Sequence, residues 1–92
     1  MLSAVLRWNA PVNAVQQAEV SAAVGEPGMD ASEALRQLIE FLGMPRSLSA
    51  IGIRQDQFPA IAEQAMGTAW VPCNPRRISG PSEIEQILKL AA

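Results

Sequence analysis

The apolar residues of this chain recur with a helical period wherever they recur regularly, and that is the tightest constraint on its fold. In the stretch LRQLIEFLGMPRSLSAIGI, Leu35, Leu38, Ile39 and Leu42 stand at i, i+3, i+4 and i+7, which puts them on one stripe of a helix. Gly43 follows, where a left-handed residue can close a helix, and Pro45 cannot continue it. Leu48, Ile51 and Ile53 then supply apolar anchors on a short turned segment. The spacing predicts that this stretch is the hub of the fold, with the Leu38 and Leu42 side chains in its core.

The remaining elements follow the same logic. Leu2, Val5 and Leu6 give a short stripe that Pro11 is expected to stop, so a first helix is placed over 2–9. Asn13 can cap a second helix with Val15, Ala18 and Ala22 inward, ended by Gly25, Pro27 and Gly28. Asp30 with Glu33 has the spacing of a capping box opening the central helix. Ser47 can cap one turn through Ile51. Asp56 can cap a helix with Pro59 in its first turn and Phe58, Ile61, Ala62, Ala65 and Met66 on one face. The segment Trp70 to Arg76 is too rich in proline for helix and is expected to run extended. Ser82 with Glu85 makes a second capping box, for a last helix over 83–91 with Ile84, Ile87, Leu88 and Ala91 inward. No alternating run is long enough for a sheet. The fold class is all-α, a small bundle of about five short helices in one helical subdomain over 1–92.

Chemistry is scarce. There is no histidine, which removes Ser-His-Asp and Cys-His arrangements and any histidine metal site. The six glycines never form the spacings that bring backbone N–H groups onto phosphates. Seven Lys and Arg against nine Asp and Glu leave no basic footprint for nucleic acid, and no stretch is long enough to cross a membrane. Asp30, Glu33, Glu83 and Glu85 read as helix-start charges. The single Cys73 cannot form an internal disulfide, which suits a reducing compartment, and the cytoplasm is expected. A packed, inert thiol is its more frequent state; a reactive one needs a base or cation beside it. Trp8 and Trp70 read as packing anchors. Arg76 and Arg77 are either exposed charges or a fork clamping a carboxylate.

The order of these pieces resembles the C-terminal end of the iron-containing, group III alcohol dehydrogenase superfamily, which includes maleylacetate reductases and lactaldehyde reductases. VLRWNAP is similar to the family's VLRFNAP, LGMPRSLSAIGI to its LGxPxxLxxxGI turn, DQFPAIAEQAM to its helix opening with Pro and Ala, and CNPRRI to its NPRPx close. Ser3 and Ala4 stand where Pro and His commonly occur, and Arg77 replaces the Pro after NPR. The resemblance implies a parent enzyme whose N-terminal domain binds NAD(P) and whose helical domain holds a divalent metal, iron or zinc, through Asp and His residues that would lie upstream of this stretch. No catalytic, cofactor-binding or metal-binding residue carries over, so the chain by itself is expected not to catalyse hydride transfer. In an intact enzyme Trp70, Cys73, Asn74 and Arg76 are the candidates for lining the substrate side of the cleft. The expected partner is the missing N-terminal domain or a second copy of the chain, a homodimer through Leu2, Val5, Leu6 and Trp8. The alternative is a standalone, non-catalytic helical interaction module.

Overall fold

The computed structural model describes all residues, 1–92, and consists of helices and turns without a strand. Four α-helices follow in order: α1 (Leu2–Ala23), α2 (Ala31–Phe41), α3 (Phe58–Met66) and α4 (Pro81–Ala91), with 3-10 turns at Ser49–Ile51, Gln55–Gln57 and Val71–Cys73. The first two expected helices are one bent helix. Pro11 sits inside α1 and does not stop it; the break comes at Asn13, whose backbone leaves helical geometry (φ −137°, ψ 36°). A proline within a helix removes a hydrogen bond and crowds the preceding turn, and a bend relieves both. The Gln17 side chain spans the bend, its Nε2 donating to the Leu6 carbonyl (2.7 Å) and to Asn13 Oδ1 (2.8 Å).

That bend sets which face of the second half turns inward. Gln17 and Ser21 are buried, while Val12 and Val15 are exposed, so the expected inward face of Val15, Ala18 and Ala22 is corrected to the polar one. Helix α1 then ends at Val24 and Gly25. Gly25 N–H bonds the Ala22 carbonyl and Glu26 N–H the Ser21 carbonyl, the paired closure that needs the positive φ Gly25 adopts (86°).

Helix α2 lies against α1, and its buried side chains are Ala31, Ser32 and Ala34. Small residues let two helix backbones approach closely, and Ser3 Oγ donates across the contact to the Ser32 carbonyl (2.8 Å). The Leu38 and Leu42 stripe is therefore not the core: Leu38 is 40% exposed, Leu42 59% and the neighbouring Phe41 86%. Gly43 does close the helix as expected, with φ 72° and the same paired bonds, Gly43 N–H to Glu40 and Met44 N–H to Ile39. At its start Asp30 holds the N-cap position without a side-chain bond, and Glu33 is drawn to Arg36 instead of back to the cap, so the expected capping box does not form.

The core lies elsewhere. Ala4 and Trp8 of α1, Leu48, Phe58 and Ala62 of α3, and Ile84, Ile87, Leu88 and Ala91 of α4 form one buried cluster. The expected stripes of α3 and α4 are the ones that pack, with Ala62 fully enclosed (0%) where the helices meet. Leu48 is the part of the central turn that reaches this core. Its N–H donates to the Ala91 carbonyl (2.9 Å), and its carbonyl accepts from Ile53 N–H (3.0 Å), so the turn is tied to the last residues of α4. Ser47 caps that turn through the Ala50 N–H (3.2 Å). The Gln55–Gln57 turn that leads into α3 is closed by Gln57 Oε1, which accepts the Arg54 N–H, while α3 itself has no side-chain cap and the expected cap Asp56 pairs with Arg54 instead. Helix α4 begins at Pro81, two residues earlier than expected, because the capping pair is Ser79 with Glu83 and not Ser82 with Glu85.

Candidate functional site

Two distant segments meet at one polar bracket. Asn9, where α1 approaches its bend, and Asn74, after the Val71–Cys73 turn, exchange two amide bonds: Asn9 Nδ2 donates to Asn74 Oδ1 (3.1 Å) and Asn74 Nδ2 to Asn9 Oδ1 (2.7 Å). Asn74 Nδ2 also donates to the Arg76 carbonyl (2.6 Å), and Arg76 N–H donates to Asn9 Oδ1 (3.3 Å). Pro75 between them has no N–H to satisfy, so the tight loop leaves no orphan donor at that position. The Arg76 guanidinium lies 3.8 Å from the centre of the Trp8 ring and donates from Nη1 to the Trp8 carbonyl (3.0 Å). Of the two readings kept open for Arg76, neither an exposed charge nor a carboxylate clamp describes it: it holds a tryptophan by face and backbone. The Trp8 Nε1 donor is buried without a partner.

The bracket supports the edge of an apolar hollow of about 270 Å³, walled by Met1, Val5, Trp70, Val71, Ile84 and Ile87, with Asn74 among its lining residues. Trp70 is 80% exposed. The expectation that it packs as an anchor is corrected, since only Trp8 does so. The Trp70–Arg76 segment is likewise not fully extended; its Val71–Cys73 turn closes through Cys73 N–H to the Trp70 carbonyl (3.0 Å). Cys73 is exposed rather than packed, with Sγ directed to the Ala69 carbonyl (3.6 Å). Of the four residues the sequence singles out, Asn74 and Arg76 are brought together, Trp70 borders the hollow with Asn74, and Cys73 stands outside both groups.

A family model described as the Fe-containing alcohol dehydrogenase family, C-terminal, matches residues 1–92. The chain belongs to this family. It is the family's helical C-terminal domain, and the bracket joins two of the motifs that carry the likeness, VLRWNAP and CNPRRI. Comparison with curated proteins and with solved structures gave no match. The residues of this iron-containing alcohol dehydrogenase domain do not fit a metal: histidine is absent, and no three Cys, Asp or Glu side chains converge where an ion would sit. No helix is long and apolar enough to cross a membrane.

The carboxylates that depart from ordinary titration serve the helices. Two hydrogen bonds from Arg36 (2.6 and 2.9 Å) hold the Glu33 carboxyl down to about 2, with a further bond from Gln37 and the field of Arg7 acting in the same direction. The Arg36 guanidinium is held correspondingly more firmly in its charged form by Glu33. Glu83 is lowered by the Ser79 hydroxyl and N–H at the start of α4. Asn9 is the bracket residue that the sequence does not single out. The signal available was an asparagine in each of two family-like motifs.

Proposed function

We propose that this chain forms the helical wall of the substrate cleft in a metal-dependent, NAD(P)-linked alcohol dehydrogenase or maleylacetate reductase-like enzyme of the cytoplasm, and that it is not catalytic by itself. The observation that carries this reading is the family match along the whole chain, 1–92, combined with a bracket that fixes the Trp70–Arg76 segment to α1. In that role Trp70 and the apolar hollow beside it border the substrate, and Asn74 and Arg76 hold the segment in register. Cys73 is exposed on the same turn, with its Sγ toward the Ala69 carbonyl, and is given no contact with substrate in this role. Hydride transfer needs a polarised oxygen and a nicotinamide held against the carbon, and the groups that hold these belong to the rest of such an enzyme, the partner of this domain.

The isolated chain, titrated into NADH or NADPH with iron or zinc present, should give no saturable change in nicotinamide fluorescence and no alcohol oxidation. Saturable binding at micromolar concentration would contradict the reading. A second reading, an interaction module that pairs with another copy, is favoured by one observation: Leu38, Phe41, Leu42 and Met44 stand exposed at the end of α2, and exposed apolar groupings of this kind mark contact surfaces. For that reading the contact lies on α2 as well as at Met1 and Leu2, since Trp8 is buried and Val5 and Leu6 are half-buried. Light scattering on the wild type and on Phe41→Glu separates the two: a dimer lost in the variant supports the module, and a monomer at high concentration removes it.

A further inference from the structure

A second, smaller pocket of about 120 Å³ lies on another part of the surface, where α1, α2, the loop after α2 and the end of α4 converge. Three of the seven cations of the chain, Arg7, Arg36 and Arg46, line it. We propose that this pocket is a binding site for a small oxyanion, a carboxylate or a phosphate group, held between the guanidinium groups of Arg7, Arg36 and Arg46.

The charges around the pocket do not balance. Arg36 spends Nε and Nη2 on Glu33, while its Nη1 meets Glu40 only at 3.5 Å. Arg46 Nη1 meets the same Glu40 oxygen at 3.1 Å, so one half-exposed carboxylate serves two arginines. Arg7 makes no hydrogen bond or ion pair, although it is close enough to help lower the Glu33 carboxyl. Counting side chains, three guanidinium groups thus face two carboxylates, a local excess of one positive side-chain charge on a chain whose net charge is −2. The negative end of α4 borders the same space, but the Ala91 carbonyl is taken by Leu48 N–H and the Ala92 carbonyl by Ser49 Oγ. The Ser3 hydroxyl is committed to Ser32.

Size narrows the ligand. The volume is several times that of one water and falls below the usual range for an organic ligand pocket, which suits a compact ion. Arginine forks match the paired oxygens of carboxylate and phosphate alike. An incoming anion competes with Glu40 for Arg36 and Arg46 and gains Arg7, which Glu40 does not engage. The inference does not depend on the dehydrogenase reading, because the pocket shares neither the bracket nor Trp70.

The test is a titration of the chain with inorganic phosphate, acetate or chloride at constant ionic strength, followed by the arginine Nε–Hε signals in NMR spectra. Saturable shifts at Arg7, Arg36 and Arg46 are expected with phosphate, acetate or both, and not with chloride. Saturation by phosphate alone assigns a phosphate group, and by acetate a carboxylate. Arg7→Gln should weaken binding about tenfold, as loss of one charge-assisted hydrogen bond implies. Glu40→Gln should tighten it, a gain that a purely structural role for the cluster would not produce. Shifts equal to those in chloride, or unchanged affinity in either variant, overturn the proposal.

Discussion

Removing the Arg76 side chain tests the bracket at its most heavily used residue. Arg76→Ala deletes a charged donor 3.0 Å from the Trp8 carbonyl and a guanidinium 3.8 Å from the ring centre. A hydrogen bond from a charged group contributes about 1.5–3 kcal/mol and a cation–π contact about 0.5–2. Arg76 is half-buried, so solvent screens part of both, and the expected loss is about 2 kcal/mol. A domain of this length has about 5–14 kcal/mol in all, and such a loss lowers the melting temperature by roughly 8–16 °C. Urea denaturation followed by tryptophan fluorescence measures it. Arg76→Lys should recover part of the loss, because an ammonium can sit over the ring without the planar fork. A double-mutant cycle with Trp8→Phe should show coupling of about 1 kcal/mol, and Arg77→Ala, at an exposed position, should be nearly silent. A loss below about 0.5 kcal/mol for Arg76→Ala, or strict additivity with Trp8→Phe, would refute the bracket as a holding device.

Three further outcomes follow from the packing. Leu88→Ala, at a buried position of α4, should cost about 2–5 kcal/mol, whereas Leu42→Ala should cost under about 1 because that side chain is mostly in water; equal shifts in the urea midpoint would show that the core has been misassigned. Gly43→Ala should cost about 1–2 kcal/mol by thermal denaturation, all of it backbone strain at φ 72°, since nothing lies within 4 Å of an added Cβ. The Glu33 pair should stabilise α2 fully above pH 4.5, the ordinary value of that carboxyl, and lose its contribution as pH falls towards about 2, because the folded carboxyl binds its proton later than the unfolded one. An NMR titration of Glu33 with a midpoint near 4.5 would contradict this, as would an unchanged acid profile in Glu33→Gln.

The helical class and the inward faces of α3 and α4 could be read from the chain because Phe58, Ile61 and Met66 in α3 and Ile84, Ile87 and Leu88 in α4 mark stripes that the other helices cover, with Ala62 and Ala91 on the same faces. The pattern of α2 is as regular, yet periodicity reports that a helix has an apolar face and not what covers it. Its buried face is Ala31, Ser32 and Ala34, residues too small or too polar to register as a stripe, while Leu38 and Leu42 face water. Helix α1 departs from its expected end at Pro11 for a different reason. The bend at Asn13 turns Gln17 and Ser21 inward, and a buried glutamine is explicable only once the Leu6 carbonyl it bonds is known. The bracket shows the limit most plainly. Asn74 and Arg76 were visible as residues of a family-like motif, but their partners Asn9 and Trp8 lie more than sixty positions away, and no local rule links such positions. The cation–π contact of Arg76 with Trp8 is part of that long-range pairing.

The most direct measurement joins this chain to the N-terminal, NAD(P)-binding and metal-holding part of an iron-containing alcohol dehydrogenase and records nicotinamide reduction with a series of alcohols. The account predicts turnover by the fusion and none by the chain alone, a raised KM with little change in kcat for Trp70→Ala, and loss of both stability and turnover for Arg76→Ala. A well-folded fusion without turnover, or turnover indifferent to Trp70→Ala across the series, would contradict the assignment of this segment to the substrate cleft.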